Sequence, residues 1–107
     1  MLNKIIIIGR LTSDPTIIYT TNGNPTSRMT IAVDRSYKDK NGERQTDFIP
    51  VVTWGKLAET VANYLRKGKL TAVEGSLEIR SYDKNGEKRY IAEIIAENVR
   101  FLEKIDK

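Results

Sequence analysis

Four aromatic side chains in this sequence stand close to cations. Tyr37 lies between Arg35 and Lys38, with Lys40 just beyond, and Tyr82 follows Arg80. Phe48 and Trp54 are six residues apart, so an extended strand presents both on one face. Rings alternating with cations on a sheet surface suit one chemistry above others. Unpaired bases stack on the rings, at about 1–3 kcal/mol each, while Arg and Lys neutralise the backbone. A duplex hides its base faces, so such a platform selects single strands. Each side chain also has a structural use: Tyr37 and Tyr82 suit any pleated surface, and Trp54 is well placed to pack on a helix start.

Two of these rings open copies of one phrase. RSYKDKNGERQTDF runs from Arg35 to Phe48 and RSYDKNGEKRY from Arg80 to Tyr90, the first copy carrying Lys38 as an extra residue. Asp-Lys-Asn-Gly-Glu is turn chemistry that any hairpin can repeat. The Arg-Ser-Tyr in front is more informative, because it sets a cation (Arg35, Arg80) and a ring at the root of each hairpin. The additional Lys38 is expected to shift the register of the first one.

Other chemistries are poorly supplied. There is no His and no Cys among the 107 residues, which removes the commonest general base, the commonest transition-metal ligand and any disulfide. No Gly-rich phosphate loop or carboxylate motif is present, so an enzyme, a cofactor and a metal site are not expected. Cysteine absence mildly favours the cytoplasm, and no apolar run suffices for a membrane span. The net charge of +4 (pI ≈ 9.4) suits a polyanion. From Asp34 to Asp47, however, four acids balance four bases, so charge alone describes a solvated surface.

The elements that must hold these residues are mostly strands, in a single domain over residues 1–107. Period-2 and β-branched patterns predict strands over Asn3–Leu11, Ser27–Tyr37, Gln45–Trp54, Leu70–Tyr82 and Lys88–Phe101, with Gly9 marking a bulge or bend. In Ser27–Tyr37, Met29, Ile31 and Val33 fall on one face and Thr30, Ala32 and Asp34 on the other. Asn-Gly pairs at 22–23, 41–42 and 85–86 predict tight hairpins. Lys56–Lys67 places Leu57, Val61, Tyr64 and Leu65 at helical spacing, with Lys67-Gly68 as its end. Tyr64 and Phe101 are assigned to the core. Three strands, a helix and two strands predict an all-β fold with one helix: an OB-fold, a five-stranded partly open Greek-key barrel with long hairpin arms.

Several blocks in order carry a family resemblance over nearly the whole chain: NKIIIIGRLTSDP, YTTNG from Tyr19, TDFIPVVTWGKLAE from Thr46, YLRKG from Tyr64, VEGSL from Val73 and the second RSY. The chain resembles the DNA-binding core of bacterial single-stranded DNA-binding proteins. The resemblance implies an OB-fold that assembles, usually as a tetramer though a dimer is compatible, and wraps single strands. Its stacking aromatics correspond to Tyr37, Phe48, Trp54 and Tyr82. Its basic contacts fall on Arg10, Lys38, Lys40, Lys56, Lys67 and Arg80, Lys67 being equally suited to a helix terminus.

Departures from the family pattern are Pro50, at a position commonly polar or basic, Ser76, where a long polar side chain is usual, and Tyr in place of Trp at both arm roots. Proline cannot donate to a ladder, so one edge there should be unpaired or bent. The residues Phe101–Lys107 do not continue into the flexible, acidic-tipped tail that recruits replication and repair proteins, which implies a tail-less relative or a trimmed protein. The reading is a non-enzymatic, cytoplasmic, nucleoid-associated protein that coats single-stranded DNA with little sequence preference during replication, recombination or repair. Its alternatives are a single-stranded RNA binder on the same fold and a primosome-type protein-interaction module.

Overall fold

The computed structural model describes residues 1–103; the end at 104–107, on which part of the missing-tail expectation rests, lies outside the described residues. Six strands and one helix follow in the order β1 (Ile5–Leu11), β2 (Thr16–Tyr19), β3 (Pro25–Lys38), β4 (Arg44–Trp54), α1 (Gly55–Tyr64), β5 (Leu70–Lys84) and β6 (Glu87–Phe101). The sheet order is β1-β5-β6-β4-β3-β2, and an additional β1–β3 pairing closes five of the strands into a barrel. This is the OB arrangement expected from the element order, with one strand more. β2 was not anticipated: its four residues pair antiparallel with Thr26-, Ser27- and Arg28-bearing β3 through the Asn22-Gly23 turn. No helix among the described residues is long and apolar enough to cross a membrane.

Alternation decides what is buried. Met29 and Ile31 on β3, Val51 on β4, Val73 on β5, Ile94 on β6 and Leu11 on β1 fill the barrel, and Val61 and Leu65 plug it from the helix side. Phe101 packs against this core, whereas Tyr64 is exposed, contrary to its helical spacing. α1 ends at Tyr64, and the buried place at this end is taken by Leu65 (2% exposed), which is already extended (φ −85°, ψ 145°); Arg66 Nη1 donates back to Ala62 O (2.8 Å) and Leu65 O (2.7 Å). Lys67-Gly68 belongs to a following turn in which Gly68 N–H donates to Leu11 O (2.8 Å). Gly9 is not a bulge. β1 pairs with β5 without interruption from Ile5 to Arg10, and a Cβ at Gly9 would collide with Ala32 O where the barrel closes.

The two arms are β3–β4 and β5–β6. Their identical pentapeptides fold into different turns. In the first, Asp39 N–H donates to Glu43 O (2.7 Å), Gly42 N–H donates to Asp39 O (3.0 Å), and only Gly42 is left-handed (φ 79°). In the second, Lys84 pairs with Glu87, and both Asn85 (φ 53°) and Gly86 (φ 79°) are left-handed, as a two-residue primed turn requires. The register of the first arm does shift: between the pairs Asp34–Thr46 and Lys38–Arg44, residues 35–37 stand opposite Gln45 alone.

Candidate nucleic-acid interface

β4 supplies the spine of the site. Its core-facing residues alternate with Phe48, Pro50, Val52 and Trp54, which lie beside Ala32, Thr30, Arg28 and Thr26 of β3 on the outward face. Val52 is registered with Ile95 of β6, so Ile91, Glu93 and Ile95 share that face, and through the β5–β6 ladder so do Ser76, Glu78, Arg80 and Tyr82. Three predicted stacking residues therefore meet on one surface, each half or more exposed: Phe48 at 64%, Trp54 at 52% and Tyr82 at 51%. Gly55 at φ 65° turns the chain from β4 into the helix directly after Trp54, which itself stays extended (φ −128°).

Pro50 lies in the middle of this spine. Its pairing with Thr30 leaves the β3–β4 ladder unbroken, but β4 pairs with β6 only at Val51 and Val52. The expected unpaired edge is the β6 side, because proline has no N–H to extend that ladder. Beside it opens a cleft of ≈ 380 Å³ whose walls include Arg28, Thr30, Pro50 and Ile91.

Tyr37, the fourth ring, is placed differently. Asp47 pairs with Val33 and so faces the core side of the arm; Arg35 grips it through Nε–Oδ2 (3.0 Å) and Nη2–Oδ1 (2.9 Å) and donates from Nη1 to the Tyr37 hydroxyl (3.2 Å). Tyr37 is exposed, yet on the reverse face of its arm from Phe48. The Arg35 donors that were expected to meet phosphate already hold a carboxylate and a hydroxyl. The pairing raises the Arg35 pKa and lowers that of Asp47 below the usual carboxylate range, chiefly through their hydrogen bonds.

The remaining cations divide into tethered and untethered. Arg10, beside Ala32 on the outward face, donates from Nη1 to Gly68 O (2.9 Å) and to Glu103 Oε1 (2.6 Å). Arg80 is held side-on by Glu93, Nε to Oε1 at 2.8 Å. Lys38, Lys40, Lys56 and Lys67 are exposed and hold no ion pair among the described residues; the Lys67 backbone N–H donates to Asp14 Oδ1 (2.9 Å). Lys56 stands in the first turn of α1, where a cation opposes the helix dipole and no acid compensates it. Two residues of this face went unpredicted, Arg28 and Glu93. Arg28 was legible in principle, since it alternates with Met29 and Ile31, but Glu93 reads as an ordinary polar strand residue.

Comparison with known proteins identifies the family. The model of the single-strand binding protein family matches residues 2–102. A single-stranded DNA-binding protein of Caldanaerobacter subterraneus subsp. tengcongensis is 53% identical over 104 residues, which cover 96% of this chain and 69% of that protein. Single-stranded DNA-binding protein 2 of Clostridium acetobutylicum is 54% identical, with 95% and 77% covered, and that of Streptococcus agalactiae serotype III is 48% identical, with 96% and 79% covered. With its barrel, its outward rings and this match over nearly its full length, the chain belongs to the single-strand binding protein family.

Proposed function

We propose that this protein binds and coats single-stranded DNA with little sequence preference, on the outward face of β3, β4, β6 and β5. The observation that carries the reading is the β4 column, with Phe48 and Trp54 exposed at its ends and Tyr82 and Arg80 across the sheet. Trp54, Phe48 and Tyr82 stack bases; Lys56, Lys38, Lys40 and Lys67 supply untethered charge, and Arg80 and Arg10 supply guanidiniums already oriented by carboxylates. The unopposed cation at Lys56, costly for the helix, has a use once phosphate lies beside Trp54. Tyr37 and Arg35 contribute from the far side of the first arm, where a strand that wraps the arm meets them. On this reading the protein works on the nucleoid, in replication, recombination or repair.

The same reading includes an assembly. Over Ile5–Ile8, β1 is paired only with β5, because its contact with β3 is limited to Arg10 and Leu11, and Ile6 and Ile8 point outward and exposed. An apolar free edge is a liability in isolation and a subunit contact in an oligomer. A chain that stays monomeric by light scattering across micromolar concentrations would remove this part.

The test is a titration with oligo-dT while following Trp54, the single tryptophan. Stacking should quench its fluorescence strongly, and affinity should fall with salt at a log–log slope near −0.7 per phosphate neutralised. Equal binding to a closed duplex without quenching overturns the reading. A preference for matched RNA in competition transfers the function to RNA.

A further inference from the structure

The outward face buries a carboxylate where a polyanion is to lie. Glu93 is only 3% exposed, and it sits on β6 next to the Pro50 cleft with two guanidiniums around it. Arg80 reaches it from β5 through Nε–Oε1 (2.8 Å) and Nη2–Oε2 (3.3 Å), and Arg28 from β3 through Nη1–Oε2 (3.2 Å). Both arginine side chains remain about half exposed, at 50% and 51%. Each guanidinium has five N–H donors in a fixed fork, so Arg28 and Arg80 retain donors directed away from Glu93. Directly across the β5–β6 ladder stands Glu78, exposed and outside the cluster.

We propose that Arg28 and Arg80 form one phosphate subsite of the strand-binding face, with Glu93 as its positioning residue. Phe48 and Trp54 stand about 20 Å apart along β4, at roughly 3.3 Å per residue. No ring lies between them; Arg28 flanks the gap beside Val52, and the cleft opens there because Pro50 ends the β4–β6 ladder. A strand stacked at both ends must carry its backbone across that gap. Glu93 fixes two long side chains from separate strands before the ligand arrives, so binding does not have to order them. This inference rests on the proposed strand binding and adds a residue, Arg28, and a role, that of Glu93, to it.

Two carboxylates facing each other across one ladder make the test sharp. Glu78→Gln and Glu93→Gln both delete a negative charge from the face. If each acts only through the electrostatic field, both tighten oligo-dT binding. Positioning predicts opposite signs: Glu78→Gln binds as well as the wild type or better, and Glu93→Gln binds about 3- to 10-fold more weakly. Arg28→Ala should weaken binding about 10-fold and shorten the salt slope by roughly 0.7, since one phosphate contact is gone. Arg28→Lys should keep the slope but not the affinity, because an ammonium cannot serve carboxylate and phosphate as a fork does. Thermal melting establishes that each variant is folded; if Glu93→Gln is not, the two Arg28 variants decide. Tighter or unchanged binding by folded Glu93→Gln, or Arg28→Ala within twofold of wild type at unchanged slope, overturns the inference. A wild-type protein that neither binds nor is quenched overturns the strand-binding reading instead.

Discussion

Phe48 and Tyr37 flank the same arm and yet face opposite ways. Phe48 lies opposite Ala32 in an unbroken ladder, so period-2 alternation turns it outward with Trp54. Tyr37 follows the stretch where three residues oppose one, and its hydroxyl accepts from Arg35 on the side of Asp47. Phe48→Ala is therefore expected to cost about 1–3 kcal/mol of oligo-dT binding, and Tyr37→Ala distinctly less, by fluorescence anisotropy of a labelled oligomer. Equal losses would show that the arm's two faces engage the strand alike. Trp54→Ala, read by the same label, should lose a similar 1–3 kcal/mol. The shared face of Phe48 and Trp54 was legible from spacing, since residues six apart lie on one side of any regular strand. The side of Tyr37 was not, because a bulge is a property of two strands together.

At the scale of elements, the arms show one pentapeptide taking two conformations. The first turn is held by Asp39, whose Oδ1 accepts from the backbone N–H groups of Asn41 and Glu43, both at 2.9 Å, and whose Oδ2 accepts from Gln45 (3.0 Å). These bonds, the Glu43 N–H foremost, hold the Asp39 pKa below its ordinary value. A depressed acid stabilises the fold above its unfolded pKa, and that contribution is lost as pH falls through the folded one. The first arm's tip should therefore loosen on acidification below the ordinary aspartate range near ~3.9, read as a change in the amide shifts of Asn41 and Glu43. The second tip relies on left-handed Asn85 and Gly86 and should not follow it. Gly86→Ala should disturb the second arm alone. The Asn-Gly signals announced three hairpins correctly, but the turn types depended on Lys38 and the register behind it. Likewise the helix was legible from its apolar spacing, while its stop at Tyr64, where Leu65 turns extended and Arg66 Nη1 donates to the freed Ala62 carbonyl, was not.

For the whole molecule, barrel closure is the event on which the face depends. Ile94 is fully buried at the point where β6 meets β4, so Ile94→Ala should destabilise the protein by about 2–5 kcal/mol in a denaturant titration. Gly9→Ala should destabilise it without any cavity, because its Cβ has no room against Ala32 O. Composition, alternation and turn residues by themselves determined the five strands other than β2, the turns at Asn-Gly, the helix, the apolar face of β3 and the shared face of Phe48 and Trp54. Those are local periodicities, and local sterics enforce them. Only the tertiary structure decided that β2 pairs onto the barrel, that Gly9 serves close approach, that Tyr64 stays exposed, and that Arg28, Arg80 and Glu93 converge from three strands. The approach of Gly9 to Ala32 and the convergence of Arg28, Arg80 and Glu93 are contacts between segments distant in sequence, where spacing along the chain carries no information about separation in space; the pairing of β2 and the exposure of Tyr64 depend on packing that a local pattern does not specify.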